Sequence, residues 1–149
     1  MDHDTDTDYV GFWARVGAAI VDTIMLLVVS VPLLRLVYAL SDWEQQAHIA
    51  SRVEFAVSYV LPVLLVIALW LWLSSTPGKM LIGAVIVDAR SGGKPSLLQF
   101  VIRYLGYYVS IIPLGLGLIW VGIDPRKQGW HDKMAGTLVI RKKGGMRKG

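Results

Sequence analysis

Cysteine is absent from this 149-residue chain. Disulfides, thiolate catalysis and cysteine-based zinc or iron-sulfur sites are therefore excluded together. Charge is also scarce: 17% of the residues are Asp, Glu, Lys or Arg, against 54% hydrophobic, and mean hydropathy is +0.53. The apolar residues gather in long runs, the composition of a small integral membrane protein and not of a soluble domain. Histidine is confined to positions 3, 48 and 131. Adjacent His and Asp, as in His131-Asp132, occur as metal ligands in hydrolases, but such centres draw on further His or Asp clusters, and His3 and His48 lie in unsuitable segments. No metal, cofactor or enzymatic activity is expected, because the chain offers no nucleophile-base pair, no carboxylate pair in one motif and no cofactor fingerprint. Thr76-Pro77-Gly78-Lys79-Met80 lacks the frame of a phosphate loop.

What charge there is falls unevenly. The start carries Asp2, Asp4, Asp6 and Asp8, whereas the stretch from Arg126 onward is basic, and the net charge is +4. An acidic start does not suit a signal peptide, so the first apolar run is read as a retained span. Residues 1–10 are expected to be a disordered acidic tail, residues 11–143 the membrane domain and residues 144–149 a disordered basic tail. Basic clusters beside membrane spans set topology or touch anionic lipid more often than they bind nucleic acid, so the bilayer is the expected partner.

Phe12 and Trp13, with Tyr9, suit an aromatic belt with Arg15 at headgroup level. Val16 to Leu34 is apolar except for Asp22, Thr23 and Ser30. As a helix it is about 28 Å long, close to the hydrocarbon thickness. A second span runs from about Glu54 to Leu73, with Trp70 and Trp72 expected in an interface belt. The third apolar region, Leu97 to Ile123, is interrupted by Arg103 and by Pro113-Leu114-Gly115. It either crosses once as a tilted helix or breaks at Pro113 and returns.

Two further observations favour the return. Basic residues flank this region on both sides, and the positive-inside rule wants both flanks in the cytoplasm. Ala84 to Asp88 and Thr137 to Arg141 also read as short strands, each needing a partner, and they can pair only on one side of the membrane. The expected fold is an all-α membrane protein with two full transmembrane helices, a third broken or re-entrant helical region, and a small cytoplasmic β element of about 84–88 with 137–141. Both termini are expected in the cytoplasm and the protein in the plasma (inner) membrane.

Gly11-Phe12-Trp13-Ala14-Arg15 through Asp22, Thr76-Pro77-Gly78-Lys79-Met80 with Gly83, Arg103, and His131-Asp132-Lys133-Met134-Ala135-Gly136-Thr137 follow one another in this order. Together they resemble the RDD family of small membrane proteins, named for one Arg and two Asp. The resemblance implies that Arg15, Asp22 and Asp132 are the naming residues. It also implies a membrane protein suspected of transport, with some members linked to sodium/proton exchange and others resembling accessory components of membrane complexes.

An intramembrane carboxylate can alternate between a proton and a cation. Asp22 is therefore the candidate acid of a cation/proton transport component, in a polar cluster with Arg15, Arg103 and Asp132; His131 and Lys79 are secondary members. Arg103 is expected to pair with Asp22, and Arg15 with Asp132. The alternative is a non-catalytic accessory or assembly subunit in which the same charges only hold helices in register. Transport through so few spans calls for a homo-oligomer, with a monovalent cation or proton as substrate; the accessory reading calls for a membrane-protein partner.

Overall fold

A computed structural model of the chain describes residues 7–39 and 47–141. Residues 1–6 and 142–149, with most of the two expected tails, lie outside it, as do His3 and the side chain of His48. Helix α1 (Phe12–Ala39) is a single apolar run with Pro32 inside it. At about 1.5 Å per residue its 28 residues reach roughly 42 Å, ample for a tilted span. The second helical run contains α2 (Ala47–Phe55), a π-helical turn over Ala56–Val60, and α3 (Leu61–Leu73). Pro62 explains the wide turn: it has no N–H to donate, and its ring would strike the carbonyl of Ser58 in a regular helix. The Leu61 N–H instead reaches back to the Ala56 carbonyl, five residues away.

Phe12–Ala39 and Ser51–Leu81 are both long and apolar enough to cross a membrane. Val28, Val29 and Leu64 on these runs are more than half exposed, a cost in water and a gain in lipid. After a left-handed turn at Ser74, short helix α4 (Pro77–Leu81) leads into strand β1 (Ala84–Asp88).

The third region is helix α5 (Leu97–Ile111), opened by a Ser96/Gln99 capping box, and helix α6 (Leu116–Ile123). The break lies at residues 112–115, where Leu114 and Gly115 have positive φ, and the helices meet at 101°. Gly117 lets the two close on each other, since a Cβ there would lie 2.6 Å from Ser110 Cα. Helix α7 (Trp130–Ala135) packs along α5 at Gly106 and ends at left-handed Gly136, which delivers strand β2 (Thr137–Arg141).

Strands β1 and β2 pair antiparallel, with Val85 opposite Ile140 and Ile86 opposite Val139. β1 precedes the bent pair and β2 follows it. The paired strands hold the two ends of the bent pair at one sheet, the arrangement that a re-entrant region requires.

The buried core lies where the sheet meets the helix ends: Ala84, Ile86 and Val139 pack with Trp70, Phe100 and Val10. Two expectations change here. Trp70 is 2% exposed and stacks toward Phe100 and Tyr107, so it belongs to this core and not to an interface belt; Trp72, 80% exposed, has the open position a belt residue needs. The acidic tail also stops short of residue 10. The Val10 N–H donates to the Val139 carbonyl and the Arg141 N–H to the Asp8 carbonyl, so Asp8 to Val10 cover the outer edge of β2.

Candidate functional site

Three parts of the chain converge on Asp132. Gly129 opens α7, and Asp132, three residues on, accepts the Gly129 N–H at 3.1 Å, which fixes the carboxylate at the helix start. Arg15, from the first turn of α1, donates Nη1 to Oδ2 at 2.6 Å. It also donates Nε to the Val10 carbonyl and Nη2 to the Lys127 carbonyl, a fork closed on three acceptors. Arg103, from α5, donates to the other oxygen, Oδ1, and to the Thr137 hydroxyl on β2. Asp132 and Arg103 are fully buried. Burying such charges is tolerable only because each is paired and hydrogen-bonded. Arg103 leaves Nε without a partner among the described residues and places its guanidinium against the Trp70 and Tyr107 rings at 5.5 and 5.7 Å.

His131 stacks on Tyr107 with ring centres 4.1 Å apart. Its Nε2 lies 3.5 Å from Asp132, yet this is no ion pair. Burial, and then the guanidiniums of Arg103 and Arg15, push the imidazole far below its ordinary range, so the ring is neutral. Among the described residues no three metal-ligating side chains gather, and two arginines beside His131 repel a metal cation.

Asp22 stands apart from this cluster. Its carboxylate accepts the Thr76 hydroxyl at 2.5 Å and the Gly78 N–H at 2.6 Å, which ties α1 to the start of α4. Gly78 is required there, because a Cβ would lie 2.0 Å from the Ala18 carbonyl oxygen. The expected Arg103–Asp22 pair does not form: Arg103 is turned toward Asp132 and Thr137, and backbone and hydroxyl donors take its place at Asp22. Arg15 does meet Asp132. Thus Arg15, Arg103 and Asp132 share one site, Asp22 occupies another, and His131 lines the first.

Lys79 lies between them. It is 8% exposed and makes no hydrogen bond or ion pair to a described residue; the Trp70 ring lies 5.6 Å from its ammonium. Two cavities meet here. One, of about 290 Å³, opens between α1 and α6; the other, of about 360 Å³, lies between α1 and the α3–α5 pair. Ala19, Asp22, Lys79 and Tyr107 line both.

Sequence reasoning missed Tyr107, Trp70, Thr76 and Thr137. Tyr107 was within reach, since it falls one helical turn after Arg103 on the same face.

The sequence matches the RDD family over residues 9–136, which takes in both sites. The chain belongs to the RDD family. Relatives include the uncharacterized protein YckC of Bacillus subtilis (strain 168), 33% identical over 135 residues that cover 87% of this chain and 82% of that protein. The uncharacterized membrane protein YteJ of the same organism is 26% identical over 137 residues, covering 91% and 82%. An uncharacterized protein of Rickettsia prowazekii (strain Madrid E) is 35% identical over 75 residues, half of this chain and 41% of that protein, so the match spans less than half of that relative. No solved structure matches. With its apolar helices, this RDD protein is a membrane protein. Of the three residues the resemblance implied, Arg15 and Asp132 are bonded in one cluster and Asp22 holds a separate helix junction.

Proposed function

We propose that this RDD protein is a component of cation/proton transport in which Asp22, and not the arginine-bridged Asp132, is the exchanging acid. The reading rests on position: Asp22 lines both cavities beside Lys79, whereas Asp132 is enclosed with both oxygens bonded to guanidinium. A monovalent cation reaching Asp22 takes the place of the proton on that carboxyl group, so one cation exchanges for one proton with no net charge moved, and the Lys79 ammonium beside it favours release of either. The Arg15–Asp132–Arg103 cluster then serves as scaffold, and no covalent chemistry is involved. Two full spans make a thin wall for an aqueous path, so a homo-oligomer belongs to this reading. The basic flanks support a cytoplasmic side for both termini and the sheet, in a plasma-membrane protein.

Purified protein in liposomes should give a cation-dependent pH change across the membrane, and Asp22→Asn should abolish it while the protein stays folded. The saturation of Asp132 favours a second reading, an accessory subunit of a membrane complex whose Arg/Asp cluster only holds the fold. Absence of flux in the wild type, with a stable membrane-protein partner recovered by native pull-down, would select that reading.

A further inference from the structure

Charge counting around the two cavities leaves one cation over. Arg15, Arg103 and Lys79 bring three positive charges, Asp22 and Asp132 bring two negative ones, and His131 is neutral. Asp132 is taken by the two guanidiniums, and the Asp22 oxygens accept from Thr76 and Gly78. Those hydrogen bonds leave the Asp22 charge in place, so the group as a whole carries one positive charge in excess; of its three cations Lys79, a residue 8% exposed with the Trp70 ring as its neighbour, is the one with no anion bonded to it among the described residues. A buried ion calls for a counter-ion.

The cavity beside it limits what that counter-ion is. Its wall away from Lys79 is hydrocarbon, from Phe12, Val16 and Ala19 on α1 and Leu118, Ile119 and Val121 on α6. Ile119 and Ala19 on that wall are exposed, so the cavity is open on its apolar side. A hydrated inorganic anion would give up its water to an apolar wall; an acidic head on a hydrocarbon chain satisfies both ends. About 290 Å³ is small for a ligand pocket and suits one chain, not two.

We propose that the α1–α6 cavity binds a single-chain anionic group, with the acidic head on the Lys79 ammonium and the chain running between Val16 and Ile119 toward the bilayer. A free fatty acid and one chain of an anionic phospholipid share this chemistry. The argument uses only the cavity and the charge count, and binding is measured without an ion gradient, so the site stands or falls separately from ion exchange.

The test uses the delipidated full-length protein in a neutral detergent, with native mass spectrometry or equilibrium binding as readout. Palmitate should bind at least about tenfold more tightly than hexadecanol, which has the chain without the charge. Lys79→Met should abolish that preference and Lys79→Arg should keep it. Ala19→Leu, which narrows the cavity and leaves every charge in place, should weaken palmitate and hexadecanol alike. Phosphatidylglycerol competing with palmitate assigns the site to phospholipid, and failure to compete assigns it to free acid; the proposal holds in either case. Equal binding of palmitate by wild type and Lys79→Met overturns it, as does inorganic phosphate binding as tightly as palmitate. If Lys79→Met fails to fold, Ala19→Leu decides: unchanged palmitate binding rejects the cavity.

Discussion

Replacing Asp132 by Leu tests the scaffold most directly. The carboxylate is the anion shared by Arg15 and Arg103, and the acceptor of the Gly129 N–H. Removing one partner of a buried ion pair costs about 3–5 kcal/mol, because the remaining charge stays buried without compensation. The orphaned Gly129 N–H adds about 1 kcal/mol. Asp132→Leu should therefore lose roughly 4–6 kcal/mol. Arg103→Leu leaves Asp132 bonded to Arg15, so its cost should fall at or below the lower end, about 3 kcal/mol. In the double variant the charge that remains is Arg15, whose side chain is 10% exposed and keeps two carbonyl acceptors. The double should then be less damaged than the sum of the singles by at least about 2 kcal/mol. Reversible unfolding in mixed micelles, followed by tryptophan fluorescence, measures all three. Additivity within about 0.5 kcal/mol would refute the shared-anion account. So would an Asp132→Leu cost below about 1 kcal/mol, within the range of an exposed pair.

Other outcomes follow from the same geometry. Gly78→Ala forces a Cβ to 2.0 Å from the Ala18 oxygen and should cost about 1–3 kcal/mol or more, whereas Gly11→Ala meets nothing within 4 Å and should be nearly neutral by the same unfolding assay. His131 stays neutral when folded but takes a proton near pH 6.5 when unfolded, so the unfolded chain binds more protons below that pH and stability should rise with pH up to it. The slope is up to about 1.4 kcal/mol per pH unit, and His131→Gln should flatten it between about pH 5 and 6.5; an unchanged slope would assign the acid sensitivity elsewhere. Asp88 is held down to about 2 by the Ser91 hydroxyl and the Gln99 amide, so its contribution to folding should persist above about pH 4 and be lost as the pH falls through 2; Asp88→Asn should remove that step from an acid titration. With no native cysteine to interfere, Arg90→Cys and Arg141→Cys should label from the same side of the membrane. Labelling from opposite sides would contradict the returning α5–α6 pair.

The scaffold was largely legible in the sequence, and for identifiable reasons. Unbroken apolar length announced the spans, and Val85 to Val87 and Leu138 to Ile140 announced a two-stranded sheet because a lone short strand has nowhere to bond. Pro113 marked the break in the third region, though not the 101° bend, which depends on Gly117 seating against Ser110. Pairing was harder to read. Two acids and two arginines at similar depth permit several matches, and hydropathy cannot show that Thr76 and the Gly78 N–H satisfy Asp22 while Arg103 swings to Asp132. Trp70 failed for a related reason: tryptophan at the end of an apolar run looks the same whether it meets headgroups or a sheet folded back over it. The isolation of Lys79 is a property of the assembled fold. A lysine two residues after Pro77 reads as an ordinary turn charge until α1 closes over it.

The link between Arg15 and Asp132 spans 117 residues, and this sets a timetable for biosynthesis. At about 5–20 residues per second, roughly 6–23 s pass between synthesis of the arginine and arrival of its carboxylate. Through that interval the first helix carries an arginine whose acid partner has not been made. Until then its guanidinium has the Val10 carbonyl but neither the Asp132 carboxylate nor the Lys127 carbonyl, and a chain that ends before Asp132 keeps that charge unmatched.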